Sequence, residues 1–234
     1  MALAAIHPVF FQVLIPDMTS QLLGVFLTFF LGGLLGLVTI INPPATLPFF
    51  TALTRDMGDR ETRALARRAC AYSFLIVVVS LFAGGLVLKA FGISYGALRV
   101  AGGIVLGLLG HGMLYGKGDS ADAMSHTGHR NPAFFPLAMP GITGPGTIAV
   151  VIGISTEIRE LNAWPKELLA YAAVVSAAFA VCALEWALLH SARAISKRMG
   201  PDAIEVLTRL MGFLLICIGV QFIASGVRTL IVSG

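Results

Sequence analysis

Ile41-Asn42-Pro43-Pro44-Ala45-Thr46 and Pro140-Gly141-Ile142-Thr143-Gly144-Pro145-Gly146-Thr147 each interrupt a stretch that is otherwise fit for lipid. Proline removes a backbone donor and clashes with the preceding turn. A bilayer holds no water for the groups so released, and helix breaks at membrane depth persist only inside protein or beside a wet cavity. The two breaks are therefore candidate binding sites as well as architectural marks.

The surrounding composition excludes a soluble domain: 57% of residues are hydrophobic and 12% charged, with a mean hydropathy of +0.87. Crossing the hydrocarbon takes ~20 apolar residues. Six stretches qualify: Leu22–Ile41, Cys70–Leu88, Ala97–Leu114, Ala133–Thr156, Leu168–His190 and Leu210–Val227. The expectation is an all-α polytopic membrane protein, one transmembrane domain over residues 1–234, in which everything between the spans is loop. The uncharged run Leu22–Thr54 would be roughly 50 Å long as one helix, against a core of ~30 Å, and so must tilt, bend or re-enter. Ala133–Thr156, at roughly 36 Å, crosses once with a kink or re-enters.

The two halves resemble each other. Span three opens Arg99-Val-Ala-Gly102 and reaches His111; span six opens Arg209-Leu-Met-Gly212 and reaches Gln221. Spans one and four each carry a break followed by about ten uncharged residues. With three spans per half, the second half inserts upside down. The expected layout is two inverted three-helix repeats, about 20–115 and 133–232, joined by a cytoplasmic loop 116–132, with helices one and four broken. Such repeats point to a secondary transporter whose site lies where they meet.

Charge sets the orientation, because Lys and Arg beside span ends bias a loop toward the cytoplasm. Arg55, Arg60, Arg63, Arg67, Arg68, Lys117, Arg130, Arg193, Lys197, Arg198 and Arg209 follow spans one, three and five. The opposite side holds Lys89, Arg99, Arg159, Lys166 and Arg228. Both termini are therefore expected outside. The basic stretch Thr54–Ala69 is accounted for by anionic lipid rather than nucleic acid. Met1–Ser20 lacks the features of a cleaved signal and, with His7, Phe10, Phe11 and Asp17, suits an interfacial segment or a tail. Cys70, Cys182 and Cys217 lie in apolar spans and read as packing residues. His126 and His129 form a lone H-x-x-H in the central loop, without the further ligands a metal needs. No cofactor, metal or catalytic residue is expected.

Ile41-Asn42-Pro43-Pro44-Ala45-Thr46-Leu47-Pro48-Phe49-Phe50 and Pro136-Leu137-Ala138-Met139-Pro140-Gly141-Ile142-Thr143-Gly144-Pro145-Gly146-Thr147, with Arg209-Leu210-Met211-Gly212 and Gly219-Val220-Gln221-Phe222, resemble the MarC family (MarC/SnatA, small neutral amino acid transporter-like). The resemblance runs from span one to the C-terminus. It implies six spans, periplasmic termini, and transport of small neutral amino acids such as alanine, glycine or serine.

The motifs suggest how a zwitterion would be held. An unwound turn frees carbonyls before the break and leaves N–H groups at the start of the next helix, where an anion is favoured. The substrate carboxylate is expected at amides near Thr46 and Thr147, and the ammonium at carbonyls around Ile41 and Thr143, beside Asn42. Pro43, Pro44, Gly144, Pro145 and Gly146 shape the breaks, and Gln221 is the further polar candidate. The structural alternative is that Asn42 and the threonines cap helix ends, and that Gln221 bonds between helices.

Four residues are candidates for coupling or gating. Glu185, the one carboxylate in an apolar context, is a candidate carrier of a coupling proton or sodium ion, or else snorkels to the interface beside Trp186. His111 lies near the cytoplasmic end of span three, where an interfacial imidazole is the simpler account. Arg99 and Arg209 snorkel or form a gating ion pair. Glycines such as Gly32, Gly33, Gly36, Gly102, Gly103, Gly107 and Gly110 permit close helix packing, and a homo-oligomer is compatible with them. The leading expectation is an exporter or exchanger working by alternating access. A passive channel, a membrane scaffold, or an efflux carrier for another small solute is the alternative, and no constellation for enzyme chemistry is visible.

Overall fold

A computed structural model describes residues 18–115 and 131–233. The expectations placed on His7, Phe10, Phe11 and Asp17, and on Lys117, His126, His129 and Arg130, lie outside the described residues. Every described element is helical: α1 (Met18–Ile41), α2 (Pro43–Leu53), α3 (Asp59–Ala90), α4 (Tyr95–Tyr115), α5 (Ala133–Ile142), α6 (Pro145–Arg159), α7 (Trp164–His190) and α8 (Ala192–Ser233). Five spans are long and apolar enough to cross a membrane, with Gln21–Thr51 counted as one, and α5 with α6 makes a sixth if that bent pair is one span.

The helices extend past their apolar cores, which corrects the reading of all intervening sequence as loop. α3 begins at Asp59, inside the basic stretch, because Arg-Glu-Thr-Arg-Ala-Leu-Ala-Arg-Arg-Ala is rich in good helix formers. Asp59 and Glu61 in its first turn also complement the positive end of the helix. α8 likewise starts at Ala192 and absorbs the basic segment, with its helical path interrupted at Gly200 (φ 76°).

Large apolar side chains point outward in stripes, as with Leu23, Leu27, Leu31 and Leu35 along α1. Spaced four residues apart, they form a single face suited to acyl chains. Inside, small residues let backbones approach, which is how helices associate where lipid offers no hydrophobic penalty. α7 is the most enclosed of the five unbroken spans, with Ala170, Ala173, Val174, Ala177, Ala178 and Val181 all buried. It packs on α1 at Gly33, where a Cβ would lie 3.5 Å from Ala177 Cβ.

The most extensive contact in the molecule is between α4 and α8. Gly96 faces Gly226, Gly103 faces Gly219 and Gly110 faces Gly212, so the two helices run antiparallel along one seam. A Cβ added at Gly103 would meet Gly219 O at 2.5 Å and Ile223 N at 2.9 Å, both backbone atoms. Gly102 lies off this seam, against Gly146 Cα of α6. The sequence match of Gly102 with Gly212 therefore does not become matched packing: Gly212 rests on Gly110 instead.

Candidate functional site

Hydroxyl groups at membrane depth usually return to the carbonyl one turn back. Thr39 donates to Leu35 O at 2.7 Å, Thr156 to Ile152 O at 3.0 Å and Ser176 to Ala172 O at 2.7 Å. The two breaks depart from this pattern.

At the first break Asn42 takes a left-handed conformation (φ 48°), its N–H bonding Val38 O at 2.9 Å and its carbonyl accepting Ala45 N–H at 2.8 Å. Asparagine tolerates that conformation better than most residues. Pro43 and Pro44 contribute no N–H groups, so the amide face expected here is already reduced. Pro48 inside α2 leaves the Pro44 carbonyl without its helical donor. Thr46 is buried, and its Oγ1 reaches two acceptors: Pro43 O at 2.8 Å and the Glu185 Oε1 atom of α7. Glu185 is 0% exposed and its Oε2 has no protein partner. Its carboxylate is therefore turned inward onto the first break, and the snorkelling alternative does not hold; Trp186 is exposed and packs on His190 at 5.4 Å.

The second break is built differently. Phe135 and Met139 are extended within α5, and Thr143 N–H bonds Ala138 O at 2.8 Å, five residues back, so this segment is wound wider than an α-helix. α5 and α6 meet at 64°. Thr143 is fully buried with its Oγ1 unpartnered. The first helical bond of α6 is Ile148 N–H to Gly144 O at 3.2 Å, which puts the amides of Gly146 and Thr147 at its open N-terminal turn. That turn is covered by α4 in this conformation: Gly146 lies against Leu106 and Gly102, and Thr147 is buried.

A cavity of about 340 Å³ joins the two regions. Its walls are Ile40, Ile41, Ala45, Thr46 and Phe49 from the first break, Pro140, Gly141 and Ile142 from the second, Leu106, Leu108, Leu109, Gly112 and Met113 from α4, and Leu215 from α8. Its size lies at the small end of ligand pockets, which run about 300–1,000 Å³. Thr46 is the one candidate binding residue in the wall. Asn42, Pro43 and Pro44 stand behind it on the first break; Thr143, Gly144, Pro145, Gly146 and Thr147 adjoin the wall on the second. Gln221 is exposed on α8 and does not line the cavity, and neither does His111, which is exposed and packs on Tyr115 at 5.0 Å.

The two candidate arginines also lie elsewhere. Arg99 stacks over the Tyr95 ring at 4.7 Å. Arg209 pairs with Glu205 one turn away at 2.6 Å, an exposed pair of small energetic weight. Sequence reasoning missed Arg193. From the start of α8 its guanidinium pairs with Asp59, donates to Met57 O, and reaches Thr62 Oγ1 at 2.7 Å and Thr54 O at 3.4 Å. The planar fork fastens the turn between α2 and α3. In sequence Arg193 is one basic residue among several, 134 positions from Asp59, and nothing local marks it.

Comparison with known proteins places this architecture. Residues 27–231 match the family described as MarC family integral membrane protein. The proteins named UPF0056 inner membrane protein MarC from Escherichia coli (strain K12 / DH10B) and from Salmonella typhimurium (strain LT2) are each 38% identical over 208 residues, covering 85% of this chain and 94% of the relative. The same protein of Salmonella paratyphi A shows the same identity and coverage. No solved structure matches. The match over nearly all of the described residues, together with the apolar spans, makes the chain a multi-pass integral membrane protein belonging to the MarC family.

Proposed function

We propose that this protein is a secondary transporter of small neutral amino acids in a bacterial inner membrane, an exporter or exchanger, with both termini periplasmic. The observation that carries the reading is a cavity whose walls come from both helix breaks. Helix breaks supply backbone polar groups, and an otherwise apolar wall suits a substrate with a short aliphatic side chain. The ammonium lies toward Thr46 and the Glu185 carboxylate behind it, and the carboxylate toward the N-terminal turn of α6. Reaching that turn requires α4 to move off Gly146, so binding and helix movement are linked.

The two halves act as inverted repeats that rock about the cavity. Support comes from the antiparallel α4–α8 seam, in which three glycines of one half meet three of the other in reverse order. The predominantly apolar wall also favours a second reading, efflux of another small and mainly apolar solute.

The test is exchange of labelled alanine in proteoliposomes, with and without internal alanine. Accelerated exchange supports a carrier. Non-saturable flux would establish a channel, and absence of flux across a panel of small solutes would remove transport altogether. Thr46→Val is expected to weaken exchange, whereas Gln221→Leu is expected to leave it unchanged.

A further inference from the structure

We infer that Glu185 is a proton-binding site and that Thr46 relays its state to the cavity, an inference that rests on the transport reading above. Three observations meet here. Glu185 is wholly enclosed, with one oxygen against Thr46 and the other unpartnered. Thr46 belongs at once to the cavity wall and to the carboxylate. Its hydroxyl has two acceptors in reach, Pro43 O and Glu185 Oε1, but one hydrogen to give.

That mismatch makes a two-position relay. With Glu185 ionised, Thr46 gives its hydrogen to the carboxylate and the Pro43 carbonyl loses this donor. When one proton from a hydronium ion forms an O–H bond on Oε1, Glu185 donates to Thr46 Oγ1 and the Thr46 hydroxyl turns to Pro43 O, closing the first turn of α2. The O–H bond that breaks is one of the donating hydronium ion, which leaves as water; no covalent bond within the protein breaks, and the site changes by one unit of charge, from negative to neutral. A buried carboxylate without a cationic partner is costly, so the ionised state calls for a cation close by. A substrate ammonium against Thr46 meets that need, and protonation removes it. Proton and substrate thus alternate at one negative charge, as an exporter driven by an inward proton gradient requires.

The neighbours fit this scheme. α1 and α2 carry no charged residue. α3 and α7 present the thiols of Cys70 and Cys182, which are the electrostatic neighbours of Glu185. Glu157 and Arg159 sit in the last turn of α6, and Arg193 of α8 is engaged with Asp59. The oxygens at hand are one carboxylate, one hydroxyl and one carbonyl, fewer than the roughly six to eight of a hard-cation cage, so the chemistry suits a proton.

The experiment compares the full-length wild type, Glu185→Gln and Thr46→Val in proteoliposomes. Labelled alanine exchange at equal pH is measured beside accumulation driven by a pH gradient or, separately, by a sodium gradient. Glu185→Gln is expected to lose pH-driven accumulation, falling to the level without a gradient, and to make whatever exchange remains at equal pH insensitive to that pH. Wild-type pH-driven accumulation surviving in Glu185→Gln overturns the inference, as does sodium-driven accumulation that Glu185→Gln abolishes. A readout independent of any substrate is the pH-difference infrared spectrum of bilayer-embedded protein. A carboxyl band absent from Glu185→Gln and shifted in Thr46→Val is expected, and its absence from the wild type overturns the inference. Failure of the wild type to exchange alanine refutes the transport reading alone, because the infrared band reports proton binding without transport.

Discussion

Replacing Gly103 by alanine tests whether the α4–α8 seam holds the molecule together. The added Cβ would sit 2.5 Å from Gly219 O, whereas ordinary contact begins at 3.4 Å, so the helices must part by about 0.9 Å at that level. Two of the three nearest atoms are backbone and cannot rotate away, while the third, Ile223 Cγ1 at 2.8 Å, belongs to a side chain. Overpacking a close-packed interior costs about 1–3 kcal/mol. Alanine also gains about 1 kcal/mol over glycine in helix propensity, which would mask part of that cost. Gly107→Ala removes the ambiguity: it lies on the same helix, a Cβ there meets nothing within 4 Å, and it carries the same propensity gain. The difference between the two variants isolates the seam. Thermal unfolding in detergent should place Gly103→Ala below Gly107→Ala by about 2–4 °C for each kcal/mol in a chain of this size. Equal midpoints would show that the helices can part without cost and that the glycine contact is incidental.

Arg193→Ala removes the clamp on the α2–α3 turn. Charged hydrogen bonds are worth about 1.5–3 kcal/mol when buried, but the Arg193 side chain is 33% exposed, so the expected loss is nearer 2 kcal/mol in total. Faster proteolysis at residues 54–58 should accompany it, with Arg193→Lys intermediate because it keeps the charge without the fork. Ala45→Phe places a ring in the cavity wall and should abolish alanine exchange while leaving the unfolding temperature near that of the wild type; unchanged exchange would locate the substrate elsewhere. In intact membranes a water-soluble maleimide should spare Cys70 and Cys182, which are buried, and also Cys217, which shares the outward apolar face of α8 with Phe213 and Val220, and should modify all three once the protein is denatured.

The apolar spans were legible because they rest on local chemistry, runs of apolar residues, and the prolines marked where one helix gives way to the next, at Pro43 and Pro145. Helix ends were less so. Asp59–Ala69 reads as a charged loop by composition, yet its residues are good helix formers and α3 simply continues out of the apolar layer. The site itself was half visible. Thr46 and Glu185 were each marked, one by the break and one as a carboxylate in apolar sequence, but their 139-residue separation hides that they are partners. Gln221 was marked by its likeness to His111, a match along the chain that took no account of which helix face is enclosed. Arg193 carried no mark, since its role depends on where a distant turn arrives.

The two interruptions differ in posture: Gln21–Thr51 runs on as one span through its break, while α5 and α6 are bent by 64°. Under the proposed reading of two like halves inserted in opposite senses, that inequality has a dynamic meaning. Let the first half fold at its hinge as the second now does, and let the second straighten. The same chain then presents its chamber to the other side of the bilayer, and no further shape need be encoded to complete the cycle.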